Sequence, residues 1–133
     1  MYRIAKLIDF CYGHRLMDYE GKCAHPHGHN GLVEIELESE GLDRRGMVVD
    51  FGDVKQAVKR WIDENLDHRM ILRRDDPLAA WLRDSGEPMF VLDVNPTAEN
   101  IARLIHEKAR VAGLPVRAVT VWETPNSWAS YRD

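Results

Sequence analysis

Val33, Ile35 and Leu37 alternate with Glu34, Glu36 and Glu38, so the segment Leu32 to Glu38 presents one apolar and one acidic face. A period of two belongs to a half-covered β-strand. Carried backwards, the same parity puts His27 and His29 on the apolar side, provided that neither Gly28 nor Gly31 marks a bulge. Tyr2 to Tyr12, rich in Ile, Leu, Phe and Tyr, reads as an earlier strand, although Leu7 and Ile8 interrupt its alternation. Met17 to Ala24 is mostly polar, contains Gly21 and reads as a loop. Glu38 to Met47 reads as a hairpin connection around a charged turn from Gly41 to Gly46, and Met47 to Phe51 as a short returning strand.

The period then changes. Val54, Ala57, Val58, Trp61 and Ile62 share one face of a helix capped by Asp50 or Asp53 and ending near Leu66. Arg69 to Pro88 is a charged connection holding a short helix from Pro77 to Arg83, and Met89 to Val94 is a further strand. Asn95-Pro96-Thr97 opens a second long helix, with Thr97 at the N-cap and Glu99 in the first turn. Ile101, Leu104, Ile105, Lys108 and Ala112 trace its buried stripe and edges, and Gly113 and Pro115 end it. Val116 to Glu123 is the last long strand, and Trp128 to Tyr131 pairs as a short terminal one. The order is β-β-β-α, then β-α-β-β. Dominated by hairpins, it predicts an α+β fold: an antiparallel sheet with two long helices on one face. An open face or edge on so small a sheet predicts oligomerisation.

Composition narrows the class. A chain of 133 residues fits one domain, 1–133, and 44% hydrophobic with 30% charged residues suits a soluble globular protein rather than a disordered one. No apolar run approaches the roughly 20 residues of a membrane span. Met1 to Lys6 lacks the apolar core of a secretory signal, so the expected location is cytoplasmic, with Cys11 and Cys23 reduced. A net charge of −4 leaves no basic footprint for nucleic acid, and any anionic substrate must meet a local cluster of positive groups.

The chemistry concentrates in Cys23-Ala24-His25-Pro26-His27-Gly28-His29-Asn30. His27 and His29 point the same way in an extended segment, and His14 stands at the end of the first apolar run. Three imidazoles can hold a zinc ion and leave its fourth position open, as a catalytic site requires. The plainer alternative is a chance His-x-His pair in a polar loop. His25 has the same parity, but Pro26 disturbs regular pairing, which makes it a loop residue or substrate contact. Cys23 keeps three readings: an inert thiol, the fourth ligand of a structural zinc, or a catalytic thiolate beside the metal. Cys11, inside the apolar strand, reads as packing. Asp67-His68, just past a helix end, is either a capped terminus or a proton-transfer pair in which the carboxylate orients the imidazole. His106, mid-helix without a partner motif, reads as a surface residue. Glu123 shares the parity of Val119 and Val121, so its carboxylate ends an apolar face; Glu123-Thr124 is either an ordinary pair at a strand edge or, if buried, a carboxylate needing donors that a ligand's amino and ring N–H groups supply. Thr97 and Glu99 read as capping residues.

Together these motifs resemble the 6-pyruvoyltetrahydropterin synthase / 6-carboxytetrahydropterin synthase family. The matching runs, in the family's order, are Phe10-Cys11-Tyr12-Gly13-His14-Arg15-Leu16, Gly21-Lys22-Cys23, His27-Gly28-His29-Asn30, Val49-Asp50-Phe51, Leu66-Asp67-His68, Pro96-Thr97-Ala98-Glu99-Asn100 and Glu123-Thr124. The resemblance implies the T-fold, with trimers that pair into hexamers and active sites at subunit interfaces. It implies His14, His27 and His29 as zinc ligands, Cys23 as catalytic base, Asp67 and His68 as its acid/base partners, and Glu123 as the pterin anchor assisted by Thr97 and Thr124. Three residues, Ala24-His25-Pro26, separate Cys23 from His27, as in bacterial 6-carboxytetrahydropterin synthases of queuosine precursor synthesis. The implied substrate is 7,8-dihydroneopterin triphosphate, giving 6-carboxytetrahydropterin, acetaldehyde and triphosphate; Lys22, Arg15 and His25 are the candidate phosphate contacts. The competing functions are a pyruvoyl-forming synthase, a pterin side-chain aldolase, or a non-catalytic protein whose zinc is closed by one cysteine and three histidines. The chain departs from the family pattern in Tyr12 and Gly13 before the first histidine, where Tyr12 narrows the pocket. A second departure is the charged run Arg69 to Arg74 after Asp67-His68.

Overall fold

β1 (Tyr2–His14) and β2 (His27–Ser39) pair antiparallel without a slip, from Tyr2 opposite Ser39 to His14 opposite His27. The computed structural model, which describes residues 1–133, thus carries the parity of Val33 through Gly31 and Gly28 with no bulge. Even positions of β1 and odd positions of β2 face inward, and Ile8, Phe10, Val33, Ile35 and Leu37 are buried there. The connection between the strands, residues 15–26, carries one 3-10 turn over Lys22–Ala24.

The sheet has six strands in the order β4-β3-β1-β2-β5-β6. β5 (Val116–Thr124) pairs antiparallel with β2, and β6 (Ser127–Tyr131) antiparallel with β5. On the other side, β3 (Arg69–Arg73) and β4 (Met89–Leu92) add in parallel. The antiparallel ladder that the hairpins predict is therefore the β1-β2-β5-β6 part, extended by two parallel strands. β3 lies in the segment read as a connection. Its apolar content is only Met70, Ile71 and Leu72 between arginines, and both Ile71 and Leu72 are buried, so it shows no alternation to read.

Met47 to Phe51 is not a strand. β1 and β5 already occupy both edges of β2, so a returning strand has no ladder to join. Val48 and Val49 pack half-buried against the core instead, and Asp50 accepts the Gly52 N–H at 2.7 Å to cap the next helix. That helical run comprises α1 (Phe51–Val54), a π-helical stretch Lys55–Lys59 and α2 (Arg60–Asn65). α3 (Pro77–Asp84) is capped by Asp76, and α4 (Ala98–Val111) by Thr97, whose Oγ1 accepts the Asn100 N–H at 3.2 Å.

Val54, Val58 and Ile62 of the first helical run and Ile101, Ala102 and Ile105 of α4 close one core against the inward face of the sheet. Each fully covered Val, Leu or Ile contributes about 1.5–3 kcal/mol. The buried face of α4 is wider than the stripe read from the sequence, because α4 packs on β6 as well as β5. His106 is thereby buried, not a surface residue, with its ring edge-on to Tyr131 at 5.0 Å. Cys11 occupies an outward, odd position of β1 and is exposed rather than packed.

Candidate metal centre and active-site cleft

The unbroken register decides the site. His14 and His27 end the β1–β2 ladder as a direct pair, and His29 lies opposite Tyr12, one inward position further along. Three imidazoles therefore converge on one face, with one ring nitrogen from each inside a 4.8 Å span. Their ring centroids are 4.5 to 5.1 Å apart. The His14 and His29 Nε2 atoms stand 3.2 Å apart. Nitrogens around a tetrahedral zinc are about 3.3 Å apart for bonds of about 2.0–2.1 Å, so the donor set fits such an ion.

The outer nitrogens are held as metal-ligating histidines require. His14 Nδ1 bonds the Pro96 carbonyl at 2.7 Å, and His27 Nδ1 bonds the His25 carbonyl at 2.7 Å. Each bond assigns the proton to Nδ1 and leaves the Nε2 lone pair for a cation. Burial pushes the His14 imidazole below its usual range, against the Pro96 carbonyl and Glu123, which raise it; the neighbouring His27 and His29 lower it further. A neutral ring is the ligating form.

A cleft of about 310 Å³ opens beside His14, lined by Cys23, Thr97, Glu99, Glu123 and Trp128. Cys23 is half-buried there, and its sulfur is not part of the ligand cluster. Its loop is fixed by the Leu16 N–H donating to the Cys23 carbonyl at 2.8 Å. Asn95 clamps the same loop from the far side, donating from its side-chain amide to the Met17 carbonyl at 2.8 Å and accepting the Met17 N–H at 2.9 Å. The Glu123 carboxylate lies 3.8 Å from His14 Nε2, so the triad has an acidic neighbour that strand parity alone did not reveal. Tyr12, directly beneath, is 2% exposed. Burial, and secondarily Glu123, push its phenol well above the usual range.

Other expected site residues fall elsewhere. Asp67 and His68 form a pair, with His68 Nδ1 2.7 Å from the Asp67 carboxylate, which also accepts the Cys11 N–H at 2.8 Å. Burial pushes the Asp67 carboxyl up, but the Cys11 N–H, His68 and Lys59 together hold it below its usual range. His68 carries a left-handed backbone, φ 59°, and an exposed ring. It lines a hollow of about 510 Å³ with Cys11, Gly13 and Gly28, outward positions of the ladder, and with His27 of the triad, and it is not part of the cleft that holds Cys23 and Glu123. Thr124 is exposed, and its hydroxyl accepts the Asn126 N–H at 3.2 Å. Arg15, a candidate phosphate contact, is bound through two guanidinium nitrogens to Asp76. The exposed residues Lys22 and His25 keep no such partner.

Three comparisons bear on this geometry. The family model for 6-pyruvoyl tetrahydropterin synthase matches residues 3–133. The chain is 38% identical over 133 residues to the 6-carboxy-5,6,7,8-tetrahydropterin synthase of Rickettsia conorii, covering 95% of this chain and 96% of the relative. Among solved structures, an uncharacterized protein of Wolinella succinogenes superposes with a TM-score of 0.81 at 35% identity, covering 99% of this chain and 98% of its own. The 6-pyruvoyl tetrahydropterin synthase of Caenorhabditis elegans gives a TM-score of 0.75 at 24% identity over 99% of this chain and 95% of its own, a likeness of fold.

Proposed function

The chain belongs to the 6-pyruvoyl tetrahydropterin synthase family, and from that premise we propose that it is a zinc-dependent lyase of queuosine precursor synthesis. Its α+β arrangement is the T-fold of that family. The reaction is conversion of 7,8-dihydroneopterin triphosphate and water to 6-carboxytetrahydropterin, acetaldehyde and triphosphate. The observation that carries this reading is the cluster of His14, His27 and His29 beside a cleft that also holds Cys23 and Glu123, with the thiol outside the ligand set.

His14, His27 and His29 would hold the ion, whose Lewis acidity makes the C–H beside the side-chain hydroxyls more acidic. Cys23, as thiolate, takes that proton. Glu123 receives the amino and ring N–H groups of the pterin, and Thr97 shapes the cleft wall beside it. His68, oriented by Asp67, moves protons during tautomerisation and side-chain cleavage. Within one chain that pair lies outside the cleft that holds Cys23 and Glu123, so a neighbouring subunit supplies it, in a trimer or hexamer with sites at subunit interfaces. The two outer strands, β4 and β6, leave edges for such assembly. No helix is long and apolar enough to cross a membrane. Cys11 and Cys23 are both free, which suits the cytoplasmic location expected of the chain.

The test is one product assay and one variant. Wild type should release acetaldehyde in step with triphosphate, lose turnover on chelation and regain it with zinc. Cys23→Ala should keep its metal and melting curve and lose turnover. Triphosphate without aldehyde would favour the pyruvoyl-forming reaction. Loss of metal and of folding in Cys23→Ala would mean a structural zinc closed by the thiol.

A further inference from the structure

We propose that Tyr12 is a positioning residue for Glu123, its phenol hydroxyl donating a hydrogen bond to the carboxylate that receives the ligand. This role rests on Glu123 being the group that takes a ligand's N–H donors.

The Tyr12 hydroxyl is buried and has no hydrogen-bond partner. Leaving a buried donor unpaired is costly, and a native chain keeps one where something else completes it. The direction of the side chain shows what. Tyr12 stacks on Phe10 with ring centroids 4.8 Å apart and planes 12° apart. Both rings lie over Gly31, where a Cβ would stand 2.8 Å from Phe10 Cε1 and 3.0 Å from Tyr12 Cε1. The tyrosine thus leaves β1 and crosses β2 at a position that has no side chain.

The β2–β5 ladder ends with Leu32 opposite Trp122; Gly31 and Glu123 are the next residues beyond that pair, where β5 also carries an irregularity against β6 between Trp122 and Thr124. A phenol crossing Gly31 extends toward this end of β5, and Glu123 is close enough for its charge to act on the Tyr12 phenol. Tyr12 is inward on β1, and Glu123 shares the inward parity of Val119 and Val121 on β5. The carboxylate, 26% exposed, accepts no hydrogen bond from the rest of the chain, and His14 Nε2 stands 3.8 Å from it. An unpaired donor and an unpaired acceptor therefore stand on the same face with an empty strand position between them. A carboxylate that must present both oxygens to a pair of N–H groups needs its rotation fixed. Tyr12 is the group placed to fix it when a ligand engages Glu123 in the cleft.

Tyr12→Phe removes the oxygen and keeps the ring over Gly31. In zinc-loaded protein, the dissociation constant for a 2-amino-4-oxopteridine, read by quenching of its own fluorescence, should rise about ten-fold. KM should rise by more than kcat falls. Zinc content should match wild type, and the ligand-free melting temperature should be equal or higher, because the lost hydroxyl had no partner there. In a Glu123→Gln background the same change should cost at most about two-fold, since the charge-assisted bond is already gone. Equal losses in both backgrounds would overturn the proposal. So would a Tyr12→Phe chain that loses zinc or melts lower without ligand, because its role would then be packing. If Tyr12→Phe binds like wild type while Glu123→Gln is impaired, Tyr12 is excluded and Glu123 stands. A wild-type protein that ignores the pterin removes both.

Discussion

Removing the Arg15 guanidinium should cost more stability than removing the charge it serves. Arg15 binds Asp76 through Nε, at 2.8 Å, and through Nη2. The Asp76 side chain is 0% exposed, whereas Arg15 is 23% exposed. Arg15→Ala strands a buried carboxylate whose remaining donor is the Leu78 N–H at 2.8 Å. Breaking a buried pair in this way costs about 3–5 kcal/mol, and the partial exposure of Arg15 brings the figure to about 2–3 kcal/mol. Unfolding entropy of about 2.1 cal/mol/K per residue over 133 residues converts that to a fall of about 7–11 °C in melting temperature. Asp76→Asn keeps a cap for α3 and leaves Arg15 able to reach water, so it should cost only about 1 kcal/mol. The pH dependence has a definite sign. The hydrogen bond from Arg15, against burial, holds the Asp76 carboxyl below its usual range. A depressed carboxyl stabilises the fold above its unfolded value, about 3.9, and the contribution is lost as pH falls through the folded value. The gap between wild type and Arg15→Ala should therefore be full at pH 7 and shrink below about pH 4. Thermal and urea melts at both pH values decide it. An Asp76→Asn protein as damaged as Arg15→Ala, or a gap undiminished in acid, would refute the reasoning.

Two further outcomes follow from packing. Gly31→Ala should destabilise by about 1–3 kcal/mol, because its methyl meets two stacked rings rather than a flexible chain end, and Phe10→Leu in the same protein should recover part of the loss; an unchanged melt would show that the rings yield freely. His106→Leu should raise the melting temperature, since the buried Nε2 has no hydrogen bond to lose; a drop of about 1 kcal/mol or more would mean that the imidazole is paired in solution, with the Asp133 carboxylate at 3.5 Å as its partner.

Local periodicity made the strands around Val33 and Val119 legible, along with the caps at Asp50 and Thr97, because each is written into adjacent residues. It also placed His27 and His29 on the covered face, since the ladder from β1 suppresses any bulge at Gly28 or Gly31. What it missed depends on partners distant in sequence. β3 exists because β1 and β4 flank it, and the strand expected at Met47 to Phe51 is absent because β2 has no free edge. The burial of His106 comes from β6 lying under α4, and the exposure of Cys11 from a parity that Leu7 and Ile8 had obscured. The carbonyls of Pro96 and His25 behind the triad carry no side-chain signature, although Pro96 directly precedes the Thr97 cap. Tyr12 was visible as a departure from the family pattern. Its aim toward Glu123 needed the β2–β5 register.

The histidine pair that closes the β1–β2 ladder is joined through the chain only by residues 15–26. A cation taken by His14 on one strand and by His27 and His29 on the other acts as a clasp across that open mouth. Binding and zippering are then thermodynamically linked, so each favours the other to the same degree. Cys23 rides on the segment being clasped. Metal supply would accordingly set how firmly the Cys23 sulfur is held beside the cleft.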